Sequence, residues 1–144
     1  MARSFAHFFL FGIIQPEVNL RGSPKIMSKT FLNKKEKSYL KELFGQLAPF
    51  KKDIICLKLF GSKARGDYNK YSDIDLLLAV RDKKREFFEK KVSRFVTEVL
   101  LKGGPFFSIK IYPFSKFQTF ITSPTFFIRR INKEAVDLWP KKNY

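Results

Sequence analysis

The sequence predicts a single α/β domain, and three observations predict it. Three seven-residue apolar runs, Ile54–Phe60 (IICLKLF), Ile74–Val80 (IDLLLAV) and Phe106–Tyr112 (FFSIKIY), are short and rich in β-branched or aromatic residues, as buried strands are. Longer stretches between and around them repeat their apolar residues at helical spacing. The 144 residues are 44% hydrophobic and 29% charged, which is enough apolar surface for one folded core and argues against a disordered chain.

The first helix follows Asn33. Tyr39, Leu40, Leu43, Phe44 and Leu47 fall on one face, Asn33 with Glu36 resembles a capping box, and Pro49 stops the run. The strand Ile54–Phe60 leads into a small-residue turn and the second strand, Ile74–Val80. Charged Arg81 to Arg85 then opens a helix whose face is Phe88, Val92, Phe95, Val96, Val99 and Leu100, ended by Gly103, Gly104 and Pro105. After the third strand, Ser115 to Ile121 reads as a short helix. Ser123-Pro124 places a capping Ser before a Pro at the first helical position, for a helix through about Glu134, and Val136 to Trp139 reads as a final short strand. There is no internal repeat and no low-complexity tract.

The beginning of the chain differs. Phe5 to Ile14 (FAHFFLFGII) is an apolar run about half the length that crosses a bilayer. Arg3 precedes it as in a signal peptide, but no small-x-small cleavage site follows closely. Met27 opens MSKTFLNKKEKSYLKELF, which reads as an ordinary protein start, so the expected organisation is an extension over residues 1–26 and the domain over residues 27–144.

Composition narrows the function classes. Lys and Arg number 29 against 13 Asp and Glu, a formal charge of +16. Such an excess suits a polyanion such as nucleic acid or nucleotide phosphate, or it serves solubility, since the Lys residues are spread along the chain. The 18 Phe residues suit a core as well as they suit base stacking. One cysteine, Cys56, excludes an internal disulfide and a cysteine-built zinc site, and with no membrane-length segment the expectation is a cytoplasmic protein. His7 is the only histidine and lies in the extension, which removes Ser-His-Asp and Cys-His chemistry. Cys56 sits mid-strand as a small core residue, and Arg129-Arg130 could meet phosphate but fit better the solvated face of an amphipathic helix.

The chemistry lies between the first two strands, in FGSKARGDYNKYSDIDLLL. A strand running into Gly61-Ser62 and on through Lys63, Ala64 and Arg65 frees backbone N–H groups near a phosphate; Ser62 adds a hydroxyl donor, and Lys63 or Arg65 adds charge. The plain alternative is an ordinary turn. Asp73 and Asp75, one residue apart at the start of a strand, point to the same side and repel each other unless a cation relieves them; hard oxygen donors favour Mg²⁺ shared with substrate phosphates. Here the alternative is that Asp73 turns the chain after Ser72 while Asp75 is solvated.

Together these residues form Gly-Ser, ten residues, then Asp-Ile-Asp. The pattern resembles the signature of the DNA polymerase β-like nucleotidyltransferase superfamily, and GSKARG…SDIDLLL is similar to its minimal, antitoxin-type branch, which pairs with HEPN-domain proteins. Ser123 through Trp139 is similar to the C-terminal segment of such domains, so the likeness covers about Phe31 to Trp139. It implies an α/β (α+β) domain with a short mixed sheet backed by helices, and a nucleoside triphosphate, ATP in this branch, held by Gly61, Ser62, Lys63 and Arg65. It further implies Mg²⁺ held by Asp73 and Asp75 as the catalytic pair, and transfer of AMP to a HEPN-type partner. One departure stands out. The superfamily normally supplies a third carboxylate from the next strand, yet no Asp or Glu occurs between Glu98 and Glu134, and Ser108 or Lys110 takes the place. Glu134, Asp137 or a partner would have to supply the group, or transfer is slow or absent. Three functions are therefore weighed: a Mg²⁺-dependent nucleotidyltransferase, a binding module that neutralises a partner ribonuclease by contact, and a nucleic-acid-binding protein, which leaves the Asp pair without a role.

Overall fold

The computed structural model describes residues 30–123 and 125–139; the extension and His7 lie outside the described residues. Helix α1 (Lys34–Leu47) opens on the expected capping box. The Asn33 side chain accepts from the Glu36 N–H, and Glu36 accepts from the Asn33 N–H, both at 2.9 Å. Pro49 does not end the helical path outright. It sits in the first turn of a 3₁₀ helix, Ala48–Asp53, where its missing N–H costs no hydrogen bond. Strand β1 (Ile54–Phe60), a four-residue helix α2 (Ser62–Arg65) and strand β2 (Ile74–Val80) follow, then a 3₁₀ turn (Asp82–Lys84), helix α3 (Arg85–Leu101), strand β3 (Phe107–Pro113), helices α4 (Phe114–Thr122) and α5 (Phe126–Glu134), and strand β4 (Val136–Asp137).

The four strands form one mixed sheet in the order β3-β2-β1-β4. Strand β1 is antiparallel to both β2 and β4, whereas β2 and β3 are parallel, joined by the crossover through α3 that a parallel pair requires. Alternation of side chains sorts the sheet into two faces. Leu57, Leu59, Ile74, Leu76, Leu78, Val80 and Phe107 bury against Leu40, Leu43 and Leu47 of α1 and Phe88, Val92, Phe95 and Val99 of α3. Cys56, Phe60, Leu77 and Ala79 face the other way, under Phe117 of α4 and Ile128 and Ile131 of α5. The two central strands are thus buried on both faces, which explains why β1 and β2 read as continuous apolar runs without polar alternation. Cys56 lies in this second layer, and burial pushes its thiol up to about 12, so it is a core group and not a nucleophile.

Three boundaries differ from the sequence expectation. The cap of α5 is Thr125, whose hydroxyl accepts from the Ile128 N–H at 3.3 Å. Ser123 instead closes α4, its N–H donating to the Thr119 carbonyl. Strand β4 is only two residues long, because the N–H groups of Leu138 and Trp139 both turn onto the Leu57 carbonyl. Strand β3 begins at Phe107; Phe106 gives its carbonyl to the Ile74 N–H but leaves its ring exposed. Gly103 ends α3 at φ +68, the left-handed conformation that a helix C-terminus assigns to glycine.

Candidate active site

Strand pairing sets Phe60 opposite Asp75 and Asp75 opposite Ser108, so the end of β1, the start of β2 and the start of β3 meet at one point on the α5 side of the sheet. Gly61 follows at once. Its φ of +74 and ψ of −160 lie in a region open essentially to glycine alone, and a Cβ there would collide with the Asp75 carboxylate, 3.1 Å from its Cγ. The Gly-Ser turn and the second aspartate, fourteen positions apart in sequence, are therefore in direct apposition. The Gly61 carbonyl accepts from the N–H groups of Ala64 and Arg65, both at 3.1 Å, which winds Ser62–Arg65 into α2.

The loop that carries Asp73 is built by other residues. The Asn69 side chain accepts from the Tyr71 N–H at 2.8 Å, and Ser72 Oγ accepts from the Asn69 N–H at 2.9 Å. None of these bonds uses Asp73, so it is not needed to turn the chain, and its side chain is exposed beside that of Asp75. Asp75 is half-buried and shares a hydrogen bond with Ser108. Burial pushes its carboxyl up from the ordinary value and the charge of Asp73 adds to this, while the Ser108 hydrogen bond and the charges of Lys110 and Arg65 act the other way.

The two cations expected at the phosphate differ in position. Lys63 is turned inward: its ammonium lies 2.9 Å from Glu36 Oε1 and 4.1 Å from the centre of the Tyr68 ring, and both members of the ion pair are buried. It ties the N-terminus of α1 to the turn, and its charge is committed there. Arg65 stays at the surface, bound to Asp67 at 3.2 Å and to Glu134 at 3.1 Å. The carboxylates weighed as a third ligand are engaged too. Glu134 is held by Arg65, with Arg130 at 3.9 Å, and Asp137 is held by Lys58 at 2.6 Å. Ser108 stands beside Asp75 where the third carboxylate was expected, and no group of three or more His, Cys, Asp or Glu able to hold a metal ion occurs among the described residues.

Asp73 and Asp75 nonetheless suit one divalent cation. They are hard oxygen donors one residue apart, Asp73 on the loop just before β2 and Asp75 within it, and Asp73 adds its charge to the burial that raises the Asp75 carboxyl. A Mg²⁺ held by two carboxylates completes its shell with substrate phosphates and water.

The sequence pointed to Glu134 as a possible ligand and set Arg130 on a solvated face, but not to α5 as a wall of the site. Phe127, Arg130, Ile131 and Glu134 line a cavity of ≈ 130 Å³ with Phe60, Gly61 and Arg65. Their 127, 130, 131, 134 spacing is the signature of one helix face and was available in the sequence.

A mixed α/β sheet that sets a Gly-Ser turn against an Asp-x-Asp strand is the architecture of a nucleotidyltransferase fold. The chain belongs to the nucleotidyltransferase domain family, whose sequence model matches residues 34–143. A solved structure described as a "putative nucleotidyltransferase" from Sulfolobus solfataricus is similar over 87% of this chain and 96% of its own, with 19% identity and a TM-score of 0.48. No curated protein matches the sequence. No described helix is long and apolar enough to cross a membrane.

Proposed function

We propose that this domain is a Mg²⁺-dependent nucleotidyltransferase that moves AMP from ATP to a hydroxyl of a partner protein, of the HEPN type that the sequence resemblance suggests. The observation that carries the reading is the apposition of Gly61 and Asp75, which brings a backbone able to approach phosphate within reach of the carboxylate pair. Family membership supports nucleotidyl transfer as the reaction class.

In this reading the bare Gly61 backbone and the Ser62 hydroxyl take phosphate oxygens, and Arg65 adds charge. Asp73 and Asp75 hold the cation, which when bound neutralises phosphate charge and orients the α-phosphate. Lys63 has a positioning role, fixing the turn through Glu36. The acceptor oxygen attacks the α-phosphorus, the bond from that phosphorus to the bridging oxygen breaks, pyrophosphate leaves, and the acceptor proton passes to water. The residues act by positioning and electrostatics.

A second reading, neutralisation of a partner ribonuclease by contact alone, is favoured by one observation, the Ser108 that stands opposite Asp75. Incubation with labelled ATP, Mg²⁺ and the partner separates them. Label on the partner that is lost in the Asp73→Asn/Asp75→Asn protein supports transfer. Neutralisation that persists without label supports contact alone.

A further inference from the structure

The third strand supplies a cation where the family resemblance leads one to expect a carboxylate. In the parallel register Asp75 lies opposite Ser108 and Leu77 opposite Lys110, so Lys110, two residues past Ser108, projects from the same face as both. That face is covered by α4 and α5 farther along the sheet. At the Asp75 end Lys110 remains exposed, its ammonium 6.0 Å from the centre of the Phe127 ring. Phe127 stacks edge-on against Phe60 at 5.8 Å, and Phe60 is the strand partner of Asp75. Phe60 and Phe127 also wall the cavity that holds Arg65 and Arg130. Lys110 therefore sits over the junction of the three strands, and the long stem of a lysine lets its ammonium move from the Phe127 ring toward an anion bound there.

We propose that Lys110 is a phosphate-binding residue of the nucleotide site, supplying through its ammonium the positive charge that a second metal ion would supply, so that the domain takes a single divalent cation per chain. The inference rests on the nucleotidyltransferase reading of the same site. A lysine ammonium is a compact point charge with three donors and needs no carboxylate to hold it in place, which fits a strand that offers Ser108 and Lys110 and no acid. The Ser108 hydroxyl, bound to Asp75, then orients that carboxylate toward the single cation.

The test is titration of full-length protein with α,β-methylene-ATP, which cannot release pyrophosphate, at fixed Mg²⁺, together with a count of bound Mn²⁺ by electron paramagnetic resonance. Lys110 is exposed, so substitution leaves the core intact. Lys110→Met is expected to weaken the analogue about tenfold, the loss of one charge-assisted hydrogen bond. Lys110→Arg is expected to stay near wild type, and wild type to bind one Mn²⁺ per chain in the presence of the analogue. An unchanged affinity in Lys110→Met, or two Mn²⁺ in wild type, overturns the proposal. Asp75→Asn separates the two levels. If it abolishes analogue binding while Lys110→Met does not, only the role of Lys110 falls; if it binds as wild type does, the reading of the carboxylate site falls and this inference with it.

Discussion

Replacing Gly61 with alanine adds one methyl group at the point where the turn meets Asp75. The backbone there has φ +74 and ψ −160, and holding a non-glycine residue in that region costs about 1–3 kcal/mol. The new Cβ would also collide with the Asp75 carboxylate and lie 3.3 Å from the Asp75 Cβ. Relief requires that the Asp75 side chain swing away from Ser108, and a hydrogen bond to a charged group contributes about 1.5–3 kcal/mol, with the low end fitting a half-buried carboxylate. The sum is about 2.5–4.5 kcal/mol, a fall in Tm on the order of 10 °C for a domain of this size. Gly45→Ala is the control: Gly45 is exposed within α1 with nothing within 4 Å of a new Cβ, so alanine there should stabilise by up to about 1 kcal/mol. Thermal unfolding followed by circular dichroism measures both. A Gly61→Ala protein that melts within about 1 °C of wild type and binds divalent cation equally well would refute the apposition argument.

Three further outcomes follow from the same geometry. Lys63→Met leaves Glu36 buried without its cation and should cost about 3–5 kcal/mol in urea unfolding, with Lys63→Met/Glu36→Gln, which keeps the capping-box acceptor, recovering part of it; a loss under about 1 kcal/mol would show that the pair does not anchor the turn. With chelator present, Asp75 binds its proton more readily in the folded than in the unfolded state, so wild-type stability should fall as pH rises from the ordinary aspartate value of about 3.9 through the raised folded value. Asp75→Asn should remove that fall and melt above wild type at neutral pH; identical melting curves across this range would contradict it. Cys56, the only cysteine, should resist an aromatic disulfide reagent at pH 8 in the native protein and react fully in denaturant, and rapid native labelling would contradict its burial.

The elements of this fold were legible because each obeys a local rule. The apolar runs that became β1 and β2 are continuous because both faces of the sheet are covered, and Asn33 with Glu36 announces α1 at the residue where the helix begins. The boundaries that shifted depend on choices between nearby residues. Ser123 and Thr125 are both competent caps; the Ser123 N–H closes α4 on the Thr119 carbonyl, and the Thr125 hydroxyl takes the Ile128 N–H. Within the site, the Gly-Ser turn and the Asp pair could be recognised from spacing, but their apposition depends on strand register, which places Phe60 opposite Asp75. The inward turn of Lys63 was hidden because its partner, Glu36, lies 27 residues away and already had a local role in the capping box. Glu134 was weighed as a third ligand, and its capture by Arg65 could not be read from two positions 69 residues apart.

In the proposed function Asp73 and Asp75 serve nucleotidyl transfer by attack at the α-phosphorus. The most direct measurement compares ATP labelled at the α-phosphate with ATP labelled at the γ-phosphate, each incubated with the domain, Mg²⁺ and the partner protein, while released pyrophosphate is quantified. Label is expected on the partner from the α-position only, with one pyrophosphate for each nucleotide transferred, and both should be lost in the Asp73→Asn/Asp75→Asn protein. Label from the γ-position, or transfer that survives the double substitution, would contradict it.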